Sequence, residues 1–196
     1  MSELSAQVLW LAALEEICSR AAHEIKGALN GVSVNLEVVR TRSEQGKTGD
    51  AVHRYAEAAA RELTGVIALS EAVLALARPA KDPVEPGSTL RRLSVLLAST
   101  LRGDGRRLEI TEPLDVDITT VSGTVVRLTL ASALLAAVDG SPHVTCSAVG
   151  GEIRITCGGR SRTDLARDVC RIAEAHGVTL TDTGGEMRLV FPRKPS

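Results

Sequence analysis

The chain has 196 residues, of which 44% are hydrophobic, so it can form one large or two small domains with a real core. Its formal net charge is −1, which argues against a large electrostatic footprint for DNA. One Trp, one Tyr and one Phe leave little aromatic surface on which single-stranded nucleic acid would stack.

Cysteine usage and the N-terminus predict the compartment. The four cysteines show no C-x-x-C spacing, so they offer neither a zinc knuckle nor a thioredoxin motif. The first residues carry no basic leader, and no uncharged run is long enough to cross a bilayer. We therefore expect a cytoplasmic protein with reduced thiols, no bound metal, and neither membrane nor nucleic acid as a partner.

Two long helices are predicted at the start of the chain. The first spans Glu3–Glu44, because small and apolar residues recur every three or four positions along one seam. The seam comprises Leu14, Cys18, Ala21, Ile25, Ala28, Val32, Asn35 and Val39. A glycine-containing turn over 45–49 leads to a second helix over Asp50–Ala77, with Asp50 as its N-cap, and Arg78-Pro79 ends it. Two such helices cannot enclose a core alone, which predicts a homodimeric four-helix bundle; the alternative is packing on the rest of the same chain.

The remainder of the chain mixes helices and strands. Residues 80–87 contain two prolines among charges and predict a linker. The predicted helices beyond it are Thr89–Leu101, Gly123–Val138 and Thr163–His176, and the predicted strands are Leu108–Ile110, Val116–Ile118, Val144–Val149, Glu152–Cys157, Val178–Leu180 and Met187–Phe191. This order predicts an α+β fold: a helical hairpin domain over 1–79, then a two-layer sandwich over 88–196 with helices on one mixed, mainly antiparallel sheet.

His23 is the candidate functional residue of the first helix. It falls midway between two positions of the apolar seam, so its imidazole should face solvent. Its neighbours on the same face are polar, basic or very small: Ser19, Arg20, Lys26, Gly27 and Asn30. An imidazole in this setting is well placed to meet an anionic group brought by a partner, although an idle surface histidine is the plainer alternative. Glycine inside a helix costs about 1 kcal/mol relative to alanine. Gly27 and Gly31 therefore suggest that something approaches the helix closely there, either a neighbouring helix or a docked protein.

The segment His23–Asn30 reads His-Glu-Ile-Lys-Gly-Ala-Leu-Asn. It resembles the phosphoacceptor box of bacterial sensor histidine kinases, commonly His-Glu-Ile-Lys-Asn-Pro-Leu-Asn. The end of the chain, over Val169–Pro192, resembles the end of that family's ATP-binding domain, and the likeness covers residues 10–193. The resemblance implies that His23 is the phosphorylated residue and that Glu24 orients or deprotonates its ring. Arg20 and Lys26 would then soften the charge of the transferring group.

The chain departs from that family where ATP would bind. The family's Asn-Leu-Leu-x-Asn-Ala helix has alanine at both asparagine positions here, Ala133 and Ala137, and alanine cannot coordinate magnesium. The expected Asp-x-Gly-x-Gly loop is replaced by Gly158–Arg162, and the long lid is missing. The departures predict a degenerate domain that does not support autophosphorylation from ATP.

What remains resembles the histidine phosphotransferases of phosphorelays, which share kinase architecture without kinase activity. The resemblance implies two-component signalling, with His23 relaying a phosphoryl group between receiver domains of response regulators. It implies no cofactor on this chain, since the magnesium ion belongs to the receiver. Two alternatives stay open: an ATP-dependent kinase with an aberrant nucleotide site, and a non-catalytic module that only binds a regulator.

Overall fold

A computed structural model describes residues 3–79, 84–101, 105–114, 116, 119–149, 151–158 and 165–193. Its helices are α1 (Glu3–Glu44), α2 (Asp50–Ala77), α3 (Pro86–Leu101), α4 (Gly123–Gly140) and α5 (Arg167–Ala175), and its strands are β1 (Arg107–Ile110), β2 (His143–Val149), β3 (Glu152–Cys157), β4 (Thr179–Asp182) and β5 (Glu186–Val190). The predicted α+β class is confirmed.

The five strands form one mixed sheet in the order β1-β2-β3-β5-β4. β1 runs parallel to β2, and every other pairing is antiparallel, as predicted. Because parallel neighbours need a crossover, α4 makes the connection from β1 to β2. Buried residues alternate along β3 and β5, as in a sheet covered on one face, and α3, α4 and α5 all contact the sheet.

The helical hairpin has the bounds that its sequence predicts. Its turn places Gly46 and Gly49 at φ of 70° and 65°, a conformation that other residues rarely adopt. The helix α2 begins at Asp50, but its N-cap is Gly49, so the prediction of Asp50 as the cap is wrong by one residue. Asp50 instead places a carboxylate in the first turn, which favours the helix N-terminus electrostatically.

The base of the hairpin packs on the rest of its own chain. Trp10 and Ile17 of α1 and Leu76 of α2 belong to the same buried cluster as the apolar residues of α3, α4 and the sheet. The rest of the hairpin is different, because Ala59 is the one buried residue in the fully described stretch from 22 to 68. Packing on the sheet domain of the same chain therefore accounts for the base of the hairpin, while in the outer part α1 and α2 contact each other and stay largely exposed.

Arg127 of α4 joins the hairpin base to the sheet domain. Its Nη1 donates to the carbonyl oxygens of Leu76 at 3.0 Å and Arg78 at 2.6 Å, and its Nη2 donates to that of Ala75 at 3.4 Å. The last carbonyls of a helix have no partner within the helix, so this guanidinium satisfies the end of α2. It also lies 6.0 Å from the ring centroid of Trp10, and burial lowers the pKa of Arg127.

The linker prediction needs a correction at its C-terminal end. α3 begins at Pro86 instead of Thr89, and both Pro86 and Gly87 are buried. Proline suits the first turn of a helix, because its missing N–H would have no partner there. Gly87 lies so close to the carbonyl oxygen of Leu114 that a Cβ would collide with it. Residues 80–83 of the predicted linker lie outside the described residues.

Two further elements differ from their predicted bounds. α5 begins at Arg167 instead of Thr163, and Thr163 lies outside the described residues. Of the predicted strand Val116–Ile118, Val116 lies in no strand, while 117 and 118 fall outside the described residues. The C-terminal end of α5 differs by one residue from the prediction of a helix that reaches His176 with Gly177 as its cap: the helix ends at Ala175, and His176 is the cap. Gly177 follows directly in the left-handed region at φ 76°.

The helix α4 is long and apolar enough to cross a membrane by composition alone, yet 67% of it is buried inside the protein. Its leucines, valines and alanines lie against α3, α5 and the sheet. Such burial is typical of the core helix of a soluble domain.

Candidate functional site

An open groove of about 550 Å³ runs along the hairpin where it leaves the sheet domain. Its lining residues are His23, Glu24, Gly27, Ala28 and Gly31 of α1, Arg61, Glu62, Gly65 and Leu69 of α2, and Ser99 of α3. Three helices therefore contribute to one concave surface that contains the predicted histidine.

His23 is exposed on α1, as its position between seam residues predicts. Ala21, two residues earlier, is fully buried against the sheet domain, so the imidazole stands where α1 emerges from that domain. Within the described part of the chain, the ring of His23 makes no hydrogen bond or ion pair. Glu24 is half-buried and lines the same groove. The ring is accordingly available to a group that enters from outside.

The glycines of the groove face open space. A Cβ placed on Gly27 or on Gly65 would meet no atom within 4 Å, and one on Gly31 would lie 3.8 Å from Cγ of Glu62, an ordinary contact. Close packing between α1 and α2 therefore does not explain them. Each costs about 1 kcal/mol of helix stability relative to alanine, so their benefit lies in the room that they leave.

Arg20 lies in a different environment from the one predicted. Its Nη1 and Nη2 donate to the carboxylate of Asp139 at 2.9 and 3.1 Å, and its Nε donates to Glu16 at 2.7 Å. The hydrogen bonds with Asp139 are the first cause that raises the pKa of Arg20. Asp139 lies in the last turn of α4, so Arg20 holds α1 against the sheet domain. The assignment of Arg20 to a partner surface stays a prediction.

The other predicted residues lie along the exposed side of α1. Ser19, Lys26 and Asn30 are exposed but do not line the groove, so of the seven predicted site residues His23, Glu24 and Gly27 meet in it. Sequence reasoning missed the residues that α2 and α3 supply. A signal existed for α2: counting equal numbers of residues outward from the 45–49 turn places Gly65 opposite Leu29, the neighbour of Ala28.

Arg61 and Glu62 are the charged residues that α2 brings to the groove. Arg61 is 72% exposed, and its Nη1 lies 4.0 Å from Glu57, at the outer limit of an ion pair. Glu57 has a closer partner in His53, whose Nε2 lies 3.1 Å away. Ser99 donates its hydroxyl hydrogen to the carbonyl oxygen of Leu96 at 2.8 Å.

The positions at which the resembling family binds nucleotide and magnesium lie in the core. Ala133 and Ala137 are both 0% exposed and belong to the buried cluster. Gly158 donates its backbone N–H to the carbonyl oxygen of His143 at 2.7 Å, and a Cβ there would lie 3.2 Å from Cβ of His143. Residues 159–162 of the predicted loop lie outside the described residues.

No protein-family model matches the chain, and no curated protein matches its sequence. Among solved structures, the chain is similar to a bacterial phosphotransferase, with 15% identity, a TM-score of 0.44 and 96% of each chain covered. It is also similar to full-length ShkA in complex with AMPPNP, with 17% identity and a TM-score of 0.40. That match covers 93% of this chain and 47% of ShkA, about half. Because both TM-scores lie below 0.5, we draw no functional conclusion from either likeness.

Proposed function

We propose that this protein is a histidine phosphotransferase: His23 accepts a phosphoryl group from the receiver domain of one response regulator and gives it to another, without use of ATP. The observation that carries the proposal is the exposed imidazole of His23, without a described protein partner, in an open groove on a projecting helical hairpin. The phosphoacceptor-like segment His23–Asn30 supplies the chemical context. The compartment that fits this role is the cytoplasm.

The chemistry needs little from the chain beyond a positioned nucleophile. A neutral imidazole nitrogen of His23 attacks the phosphorus of an aspartyl phosphate, the N–P bond forms, and the P–O bond to the aspartate breaks. The carboxylate of the receiver is regenerated, and the ring releases the proton of its other nitrogen to solvent or to Glu24. The magnesium ion that neutralises the aspartyl phosphate belongs to the receiver, so this chain needs no metal of its own.

The shape of the groove suits the approach of a second protein. Gly27 and Gly65 leave open space on α1 and α2, so a loop that carries the phosphoaspartate can come close to the helix backbone. The nucleophile and the attacked phosphorus must lie roughly 3–3.5 Å apart and in line, which a crowded surface would prevent. Access for the partner's loop is the functional gain that accompanies the lower helix stability at these glycines.

The burial of Ala133 and Ala137 favours this function over an ATP-dependent kinase. A magnesium-bound triphosphate needs oxygen or nitrogen ligands that reach it, and methyl groups enclosed in the core supply none. We therefore assign the sheet domain a supporting role. It fixes the base of the hairpin through the Arg20–Asp139 and Arg127 contacts.

We further propose that two chains associate through the outer part of the hairpin. Large apolar side chains there are between 44% and 63% exposed: Leu29, Val34 and Leu36 of α1, and Leu63 and Ile67 of α2. A second hairpin that covers them would complete a four-helix bundle. The substitution Leu36→Glu should lower the mass measured by light scattering from dimer toward monomer. Val149→Glu, at an exposed residue of β2, is the matched control, and a monomeric wild type would exclude the dimer.

Transfer from labelled receivers tests the phosphotransferase function. Receiver domains from the same genome are loaded with ³²P from labelled acetyl phosphate, freed of donor and mixed with the chain. We expect acid-labile label on the wild type and on His53→Gln, which removes an exposed histidine of the same hairpin, and none on His23→Gln. Both variants should keep the wild-type unfolding midpoint, because neither side chain is buried.

Two outcomes would point to the alternatives. Label taken directly from [γ-³²P]ATP and magnesium by the chain alone would establish a kinase. Receivers that bind the wild type and His23→Gln equally, without transfer to either, would establish a regulator-binding module. Label that persists on His23→Gln would overturn the assignment of the histidine.

A further inference from the structure

The groove contains more negative than positive side chains, although the phosphoryl group that it is proposed to hold is itself negative. Beside His23, the charged residues that line it are Glu24, Glu62 and, as the sole cation among the described residues, Arg61. A phosphoryl group on His23 carries up to two negative charges. Facing two carboxylates, it would be repelled unless a cation from the same surface came to it.

Arg20, the nearest arginine in sequence, is not free to supply that cation. It is 27% exposed and makes three hydrogen bonds, two to Asp139 and one to Glu16. Movement toward the groove would break all three and would leave two carboxylates without their partner. Lys26 is exposed on α1, but it does not line the groove.

Arg61 is held weakly where it lies. Its separation of 4.0 Å from Glu57 and its exposure of 72% describe a surface ion pair, a contact that contributes little to stability. Glu57 keeps its contact with His53 when Arg61 leaves. The guanidinium is planar and always charged, and it presents paired N–H donors that match two phosphoryl oxygens, which a lysine ammonium does not.

We propose that Arg61 binds the phosphoryl group on His23, so that α2 supplies the cation of the site while α1 supplies the nucleophile. The assignment rests on the proposed phosphotransferase function. As the N–P bond to His23 forms and the bond to the leaving group breaks, Arg61 leaves Glu57 and donates hydrogen bonds to the non-bridging oxygens. These hydrogen bonds become stronger as negative charge gathers on the oxygens, so Arg61 accelerates transfer and also retains the product.

Phosphoramidate, a small donor that needs no receiver, tests Arg61 apart from docking. In this reaction the P–N bond of phosphoramidate breaks, ammonia leaves, and the phosphoryl group passes to the imidazole. Phosphohistidine is followed by ³¹P NMR, and the signal that His23→Gln retains is subtracted. We expect Arg61→Gln to slow labelling of His23 about tenfold or more, Arg61→Lys to recover part of the rate, and both to keep the wild-type unfolding midpoint.

The matched control is Arg40→Gln, which removes an exposed, ion-paired arginine of α1 about 25 Å from His23 along the helix. It should label at the wild-type rate. If Arg61→Gln labels as fast as Arg40→Gln while the wild type accepts phosphate, the Arg61 assignment is wrong and the phosphotransferase function stands. If His23 of the wild type accepts phosphate neither from phosphoramidate nor from receivers, both fail.

Discussion

The groove at His23 and the helix α4 differ in how far their residues are exposed to solvent. Along the groove, α1 and α2 present an imidazole, charged residues and glycines to open space. Along α4, the positions that carry nucleotide ligands in the resembling family are alanines closed into the core. The glycines of the groove lower helix stability but leave the surface open to a partner. The alanines of α4 stabilise the core by packing but cannot be reached from solvent.

This difference indicates where chemistry is expected and where it is not. Substitutions of the exposed groove residues His23, Gly27 and Arg61 should change phosphoryl transfer with little effect on folding, because these residues touch few neighbours. Substitutions on α4 should change folding, and transfer only through it. The contacts of Arg20 and Arg127 lie between the two regions and hold one against the other.

The largest expected effect comes from restoring the family's asparagines on α4. In the double variant Ala133→Asn/Ala137→Asn, each amide overpacks the core at about 1–3 kcal/mol and leaves polar atoms unsatisfied at a further 1–3 kcal/mol or so. Urea unfolding should show a loss of several kcal/mol. Fluorescent ATP with magnesium should not bind.

Ala136→Asn is the matched control, since Ala136 is half-buried on the same helix and not fully enclosed. It should cost only the difference in helix propensity, about 0.5–0.7 kcal/mol. A double variant that is stable and binds ATP would show that this face of α4 is open, and the comparison would fail.

A somewhat smaller loss is expected from Arg127→Gln. The shorter neutral side chain withdraws the donors from the end of α2, and hydrogen bonds to a charged group contribute about 1.5–3 kcal/mol. Guanidinium unfolding measures the change. Arg171→Gln, which removes an exposed arginine of α5, should stay within about 0.5 kcal/mol of the wild type. Equal losses in the two variants would mean that Arg127 does not lock the hairpin base.

The helical hairpin is the part of the fold that the amino-acid sequence predicts best. Apolar residues recur at helical spacing over both helices, glycines mark the turn, and a proline follows the second helix, so local signals agree with one another. The start of α3 was missed because Pro86-Gly87 reads as linker composition. The packing of Gly87 against Leu114 is a tertiary contact, which the local sequence does not reveal.

The candidate site was predictable only as far as one helix extends. His23 and Gly27 share a face of α1 that helical spacing defines, Glu24 is the next residue along the helix, and all three line the groove. Arg61 comes from a second helix and therefore needed the packing of the hairpin. The contact of Arg20 with Asp139 was not predictable from local sequence, because the two residues lie 119 positions apart.

The smallest expected change in stability is a gain, from Gly27→Ala. The added methyl group meets no atom within 4 Å, so the helix should become more stable by about 0.5–1 kcal/mol in urea unfolding. Transfer from a labelled receiver should nevertheless slow, because the methyl group occupies room that the partner's loop needs. Labelling by phosphoramidate, which is small, should change much less. Ser33→Ala, on the same helix outside the groove, should stabilise without slowing either reaction. If Gly27→Ala transfers from the receiver at the wild-type rate, the open space at Gly27 is not where the partner docks.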